Sequence, residues 1–123
     1  MTDVARALNG FWNGFLPAYV EDMVPDDAEF PYITYTVADP DWNESASIQA
    51  RLWYKGRTLV PMNAKAAEIK QAIGEGISIK TETGHIVIFR DANFAQFQPY
   101  DDPGKSNFHV IYLSMILQSY TRR

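Results

Sequence analysis

Cysteine is absent from the 123-residue sequence, which excludes disulfide frameworks, Cys-ligated zinc, iron–sulfur clusters and thiol catalysis together. Histidine occurs only at His85 and His109, so any metal chemistry rests on carboxylates and two imidazoles. Positive charge is scarce: 11 Lys and Arg against 15 Asp and Glu leave a net charge of −4. A general nucleic-acid binder needs a basic surface to neutralise phosphates, and this chain does not supply one. No apolar run approaches the roughly 18 residues of a membrane span. The first residues, Met1-Thr2-Asp3-Val4-Ala5-Arg6-Ala7-Leu8, lack the basic start and apolar stretch of a secretory signal.

What is present is a globular composition, 46% hydrophobic and 14% aromatic, in a length that fits one domain over 1–123. A chain of this size buries roughly two thirds of its unfolded surface, enough for one core without staples. Val4, Leu8, Phe11, Trp12 and Phe15 recur at helical spacing, which predicts an amphipathic helix from Asp3 to Phe15 with Thr2 as N-cap and Pro17 just past the end, Gly14 being the alternative C-terminal stop. Phe30 to Val37 is dense in β-branched and aromatic residues and predicts a strand, with Pro31 held to its first positions or an edge. Ala46, Ile48, Ala50, Leu52 and Tyr54 then alternate with Ser47, Gln49, Arg51 and Trp53, the pattern of a hairpin partner.

Thr58 and Pro61 open a second helix carrying Met62, Ala66, Ile69 and Ile73 on one stripe, stopped by Gly74. Two strands, Ile77 to Lys80 and His85 to Arg90, flank the turn Thr81-Glu82-Thr83-Gly84. Phe108 to Tyr120 is apolar on both faces and reads as a central strand. The expected fold is α+β, two helices packed on one face of a mixed or antiparallel sheet, in the order α-β-β-α-β-β-β. Asp91 to Ser106, polar and carrying Pro99, Pro103 and Gly104, reads as a long loop of the kind that serves function or orders on assembly.

Catalytic patterns are thin. Asp39, Asp41 and Asn43 open like a calcium loop, but Glu44 replaces the turn glycine and Ala50 the twelfth-position carboxylate. Gly74-Glu75-Gly76 follows a helix and lacks the phosphate-loop lysine. No serine lies in a nucleophile elbow, and Asn43-Glu44-Ser45 is a glycosylation tripeptide without a signal peptide. Arg51, Trp53, Lys55 and Arg57 offer a small cationic and aromatic patch that does not outweigh the acidic balance. These residues predict no catalysis, no cofactor and no metal. The competing reading is a small enzyme or ligand-binding domain with a pocket near His85 or His109. A deep polar pocket holding both histidines would favour that reading; a flat apolar sheet face would favour assembly.

Two short helices can cover one sheet face, so aromatics on the other become candidate oligomer contacts, with a two-sided core in the monomer as the competing explanation. The candidates are Tyr32, Arg51, Trp53 and Tyr112 on the strands, with Phe94, Gln96, Phe97 and Tyr100 in the long loop.

Val24-Pro25-Asp26-Asp27-Ala28-Glu29-Phe30-Pro31-Tyr32-Ile33-Thr34-Tyr35, then Leu52-Trp53-Tyr54, Phe94-Ala95-Gln96 and the late strand resemble the tail terminator (tail-completion) proteins of siphophages and Gram-positive prophages. The resemblance spans nearly the whole chain, and its motifs are structural. It implies a virion subunit that forms a six-fold ring on the last tail-tube ring and presents a surface to the head connector, assembled in the host cytoplasm and resident in the tail. The neighbouring head-completion role, as stopper or adaptor, is the close alternative. DNA would pass through the lumen without specific binding, as an acidic balance favours.

Overall fold

The computed structural model describes residues 3–56, 58–98 and 108–121, with only the backbone of residues 97 and 98. Helix α1 spans Asp3–Asn13 and buries Val4, Leu8 and Trp12. It ends before the expected Phe15: Gly14 N–H donates to Phe11 O at 3.2 Å and Phe15 N–H to Trp12 O at 3.1 Å, the tightened last turn that closes many helices. The expected N-cap, Thr2, lies outside the described residues. Helix α2 spans Val60–Ile73 with Pro61 in its first turn and Met62, Ala66, Ile69 and Ile73 buried. Leu59 occupies the N-cap position, while the Thr58 hydroxyl accepts from Val60 N–H at 3.2 Å. Gly74 ends the helix at φ 57°, a left-handed conformation that glycine adopts without a Cβ penalty.

The strands are β1 (Ala18–Val20), β2 (Tyr32–Tyr35), β3 (Ser45–Lys55), β4 (Ile77–Thr81), β5 (Gly84–Gln98) and β6 (Phe108–Thr121). They form one sheet in the order β1-β2-β3-β6-β5-β4. It is mixed, with β1 parallel to β2 and every other pair antiparallel. The fold is therefore α+β with two helices and a six-stranded mixed sheet.

Three expectations are corrected. The element order is α-β-β-β-α-β-β-β, because β1 exists. It is three residues long, too short to show a period of two, and stands between Pro17 and an acidic turn. The strand expected over Phe30 to Val37 pairs only at Tyr32–Tyr35. The loop expected from Asp91 to Ser106 is strand as far as Gln98; residues 99–106 are outside the described set. Within that stretch β5 advances five positions, Arg90 to Ala95, while β6 advances two, Met115 to Leu113. This bulge breaks the alternation, and a polar run with a broken period reads as loop.

Register explains the core. Ile33, Leu52 and Ile111 lie in one row across the sheet, Tyr35, Ala50 and Leu113 in the next. Ile48 and Met115 follow, then Leu117 with Ile88. All join one cluster with the buried stripes of α1 and α2. Full burial of each Leu or Ile side chain is worth about 1.5–3 kcal/mol, which fixes register, since a one-residue slip would turn every one of them outward.

Candidate functional site

The same alternation that sends Ile33, Leu52 and Ile111 toward the helices sends their neighbours to the helix-free face. Tyr32 pairs with Trp53 and Thr34 with Arg51 across β2 and β3. Trp53 pairs with Val110 and Arg51 with Tyr112 across β3 and β6. Directly opposed residues on one face are close enough to interact, and these do. The Tyr32 and Trp53 rings stack with centroids 6.1 Å apart and planes inclined by 16°. Trp53 Nε1–H donates to Thr34 Oγ1 at 2.9 Å, giving that buried hydroxyl a partner.

The aromatic surface extends in both directions. Tyr19 meets Tyr32 edge to face at 6.0 Å, Phe30 meets Tyr32 at 5.1 Å, and Phe30 meets Phe108 at 4.7 Å. Two cations lie over rings: the Arg51 guanidinium carbon is 4.5 Å from the Tyr112 centroid, and Lys55 Nζ is 5.7 Å from that of Phe108. Arg51 Nη1 also pairs with Glu21 Oε1 at 2.9 Å. Tyr19, Phe30, Tyr32, Trp53, Phe108 and Tyr112 are all half-buried, neither sealed in the core nor fully in water. Half-buried aromatics with an interleaved Arg are the residue types that anchor protein interfaces.

The structure thus brings together Tyr32, Arg51, Trp53 and Tyr112. Gln96 is beside them, paired with Tyr112 across β5 and β6, and exposed. Phe94 is not on this surface: it lies in the bulge and is buried in the helix-side core, so its expected contact role is corrected to packing. Phe97 pairs through its backbone with Ile111, its side chain lies outside the described set, and Tyr100 and Arg57 lie wholly outside it. Sequence reasoning missed Tyr19, Phe30 and Phe108. Phe108 was recoverable, because it shares strand parity with Val110 and Tyr112; Tyr19 sits in the unforeseen β1, and Phe30 precedes its strand.

The histidines do not meet. His85 lies opposite Tyr120 and stacks on it at 4.9 Å, whereas His109 lies opposite Tyr54 and hydrogen-bonds Gly56 O at 2.9 Å. Eleven β6 positions separate Tyr120 from His109, about 36 Å at ~3.3 Å per residue, and the strand parity puts them on opposite faces. A concavity lies between the end of α2 and the β5 bulge, lined by Lys70, Glu75, Arg90, Asp91 and Asn93, and holds neither histidine. Among the described residues no three His, Asp or Glu side chains gather as a metal site. Asn43, the third oxygen of the would-be calcium loop, instead sits at φ 62°. It fastens the turn to β6, its N–H donating to Ser119 O at 2.7 Å and its Oδ1 accepting from Gln118 Nε2 at 3.2 Å.

The perturbed ionisable groups belong to the framework. The Thr83 hydroxyl and the Glu82 and Thr83 N–H groups donate to the Asp3 carboxylate at 2.7–3.0 Å, and they lower its pKa to about 2. Burial raises the pKa of Tyr35, whose hydroxyl donates to Asn9 Oδ1 at 2.9 Å. Burial, with the Glu68 carboxylate nearby, raises that of Tyr54.

No helix of the described residues is long and apolar enough to cross a membrane. No protein-family model, curated protein or solved structure matches the chain.

Proposed function

We propose that this chain is an assembly subunit that works through the helix-free face of its sheet, and specifically a phage tail terminator. In that role copies form a ring, six-fold as the resemblance implies, that caps the tail tube and meets the head connector in the virion tail. The observation that carries the reading is the half-buried aromatic surface of Tyr32, Trp53 and Tyr112 with Arg51 across it. Such a surface gains by being covered, since aromatic area and a cation over a ring strengthen when water is removed. The sequence resemblance supplies the phage context. The net charge of −4 suits a ring through which DNA passes without sticking.

The same face serves a head-completion subunit equally well, and the docking partner separates the two: tail tube for a terminator, connector for a stopper. The enzyme reading is weakened by the histidines, which lie on different faces with structural partners of their own. Co-expression with a siphophage tail tube protein, followed by electron microscopy, tests the proposal. Tubes capped at one end by a ring are expected; tubes that never carry this chain, under conditions where it is folded, would overturn it.

A further inference from the structure

The face that carries the aromatic platform also carries, at its far end, a surface that matches it. Trp42 is 52% exposed and rests edge-on against Tyr120 with centroids 5.6 Å apart. Tyr120 shares strand parity with Tyr112, so Trp42 projects on the helix-free side. Its near neighbours in sequence, Asp39, Asp41 and Glu44, are exposed. The corner is tied to β6 by Asn43 N–H to Ser119 O at 2.7 Å and Ser119 N–H to Glu44 O at 3.0 Å, and closed by Glu44 N–H to Asp41 O at 2.9 Å. At the other end of the same strands the platform of Trp53, Tyr112 and Phe108 carries the cations Arg51 and Lys55. Eight β3 positions separate Ser45 from Trp53, about 26 Å at ~3.3 Å per residue, so corner and platform of one chain cannot touch.

We infer that the acidic Trp42 corner of one copy docks on the cationic aromatic platform of the next. The occupant of the platform is a second copy of this chain, which deepens the ring reading above and rests on it. Charge complementarity carries the assignment: exposed carboxylates close in sequence to an exposed indole at one end, and Lys55 with the Glu21-paired Arg51 over rings at the other. The contact is heterologous, with different patches on the two copies, and repeating a heterologous contact closes a ring or extends a filament, whereas a self-complementary patch stops at a dimer. A pre-positioned exposed aromatic entering an aromatic and Arg surface is the usual form of an interface anchor.

Sedimentation velocity on the full chain tests it with two variants, each checked for native melting by circular dichroism. Trp42→Ala/Glu44→Lys removes the corner and leaves the platform; Arg51→Glu/Lys55→Glu does the reverse. Lys55→Glu alone replaces the second variant if losing the Arg51–Glu21 pair unfolds it. Each variant alone should self-associate at least about tenfold more weakly than wild type. An equimolar mixture should recover one contact and stop at a heterodimer, because only one corner and one platform remain intact. Wild-type self-association in either variant, a mixture without heterodimer, or a wild type that stays monomeric at all concentrations would overturn the corner-to-platform contact. Tube capping is scored separately: variants that still cap as wild type does overturn this contact and leave the terminator reading standing, while a wild type that never caps overturns the reading itself.

Discussion

Trp53 contributes to the chain in two ways that can be measured apart. Its indole N–H satisfies the buried Thr34 hydroxyl, and its ring stacks on Tyr32. Trp53→Phe keeps a ring and removes the N–H, so urea unfolding should show a loss of about 1 kcal/mol. Trp53→Ala should cost the monomer about 1–3 kcal/mol, less than the 2–5 kcal/mol expected for the core truncation Leu52→Ala. Its effect on association should be at least about 2 kcal/mol. A Trp53→Ala chain that unfolds as readily as Leu52→Ala would place the residue in the core instead.

Asp3 makes the pH prediction. Hydrogen bonds from the Thr83 hydroxyl and the Glu82 and Thr83 amides hold its pKa at about 2 against an ordinary 3.8. A depressed carboxylate favours the folded state above its unfolded pKa, and that contribution is lost as pH falls from about 4 toward 2. Wild type should therefore lose stability relative to Asp3→Asn across that window and keep a constant difference above about pH 5. A difference that stays flat down to pH 2 in paired denaturation curves would show that the carboxylate does not fasten α1 to the β4–β5 turn.

At the scale of elements, β5 tests the corrected boundary. Ile86 and Ile88 have neighbours on both sides in β4 and β6, while Asp91, Ala92 and Asn93 lie in the bulge, exposed and outside the ladder. Their amides should exchange much faster than those of Ile86 and Ile88; equal protection would contradict the bulge. Gly84 opens the same strand where a Cβ would collide with the Tyr120 carbonyl oxygen. Gly84→Ala should then push β5 from β6 at a cost of about 1–3 kcal/mol, readable in thermal melts.

Helices and long strands were legible because their periods are long enough to count. Met62, Ala66, Ile69 and Ile73 named α2, and the alternation from Ala46 to Tyr54 gave both the strand and its inward side. β1 has no period to read, and the outer half of β5 lost its own at the bulge. For the candidate site, parity alone identified Tyr32, Trp53 and Tyr112 as co-facial. The contributions of Tyr19 and Phe30 depend on a parallel pairing and a loop path that no local pattern encodes. Phe94 misled because an aromatic in a polar stretch suggests a contact, whereas the bulge turns it into the core.

For the whole molecule, the two helices and the core lie on one side of the sheet, and the aromatic surface with its cations and the Trp42 corner lies on the other. This asymmetry is the basis for reading the chain as a unit built to be covered by protein. Hydroxyl-radical footprinting of the chain, free and within the ring proposed above for tail tubes, is the most direct test. Tyr32, Trp53 and Tyr112 should become protected on assembly, while Val60, exposed on helix α2, keeps its reactivity. Assembly that leaves those three aromatics as reactive as in the free chain would contradict the assignment of the helix-free face as the working surface.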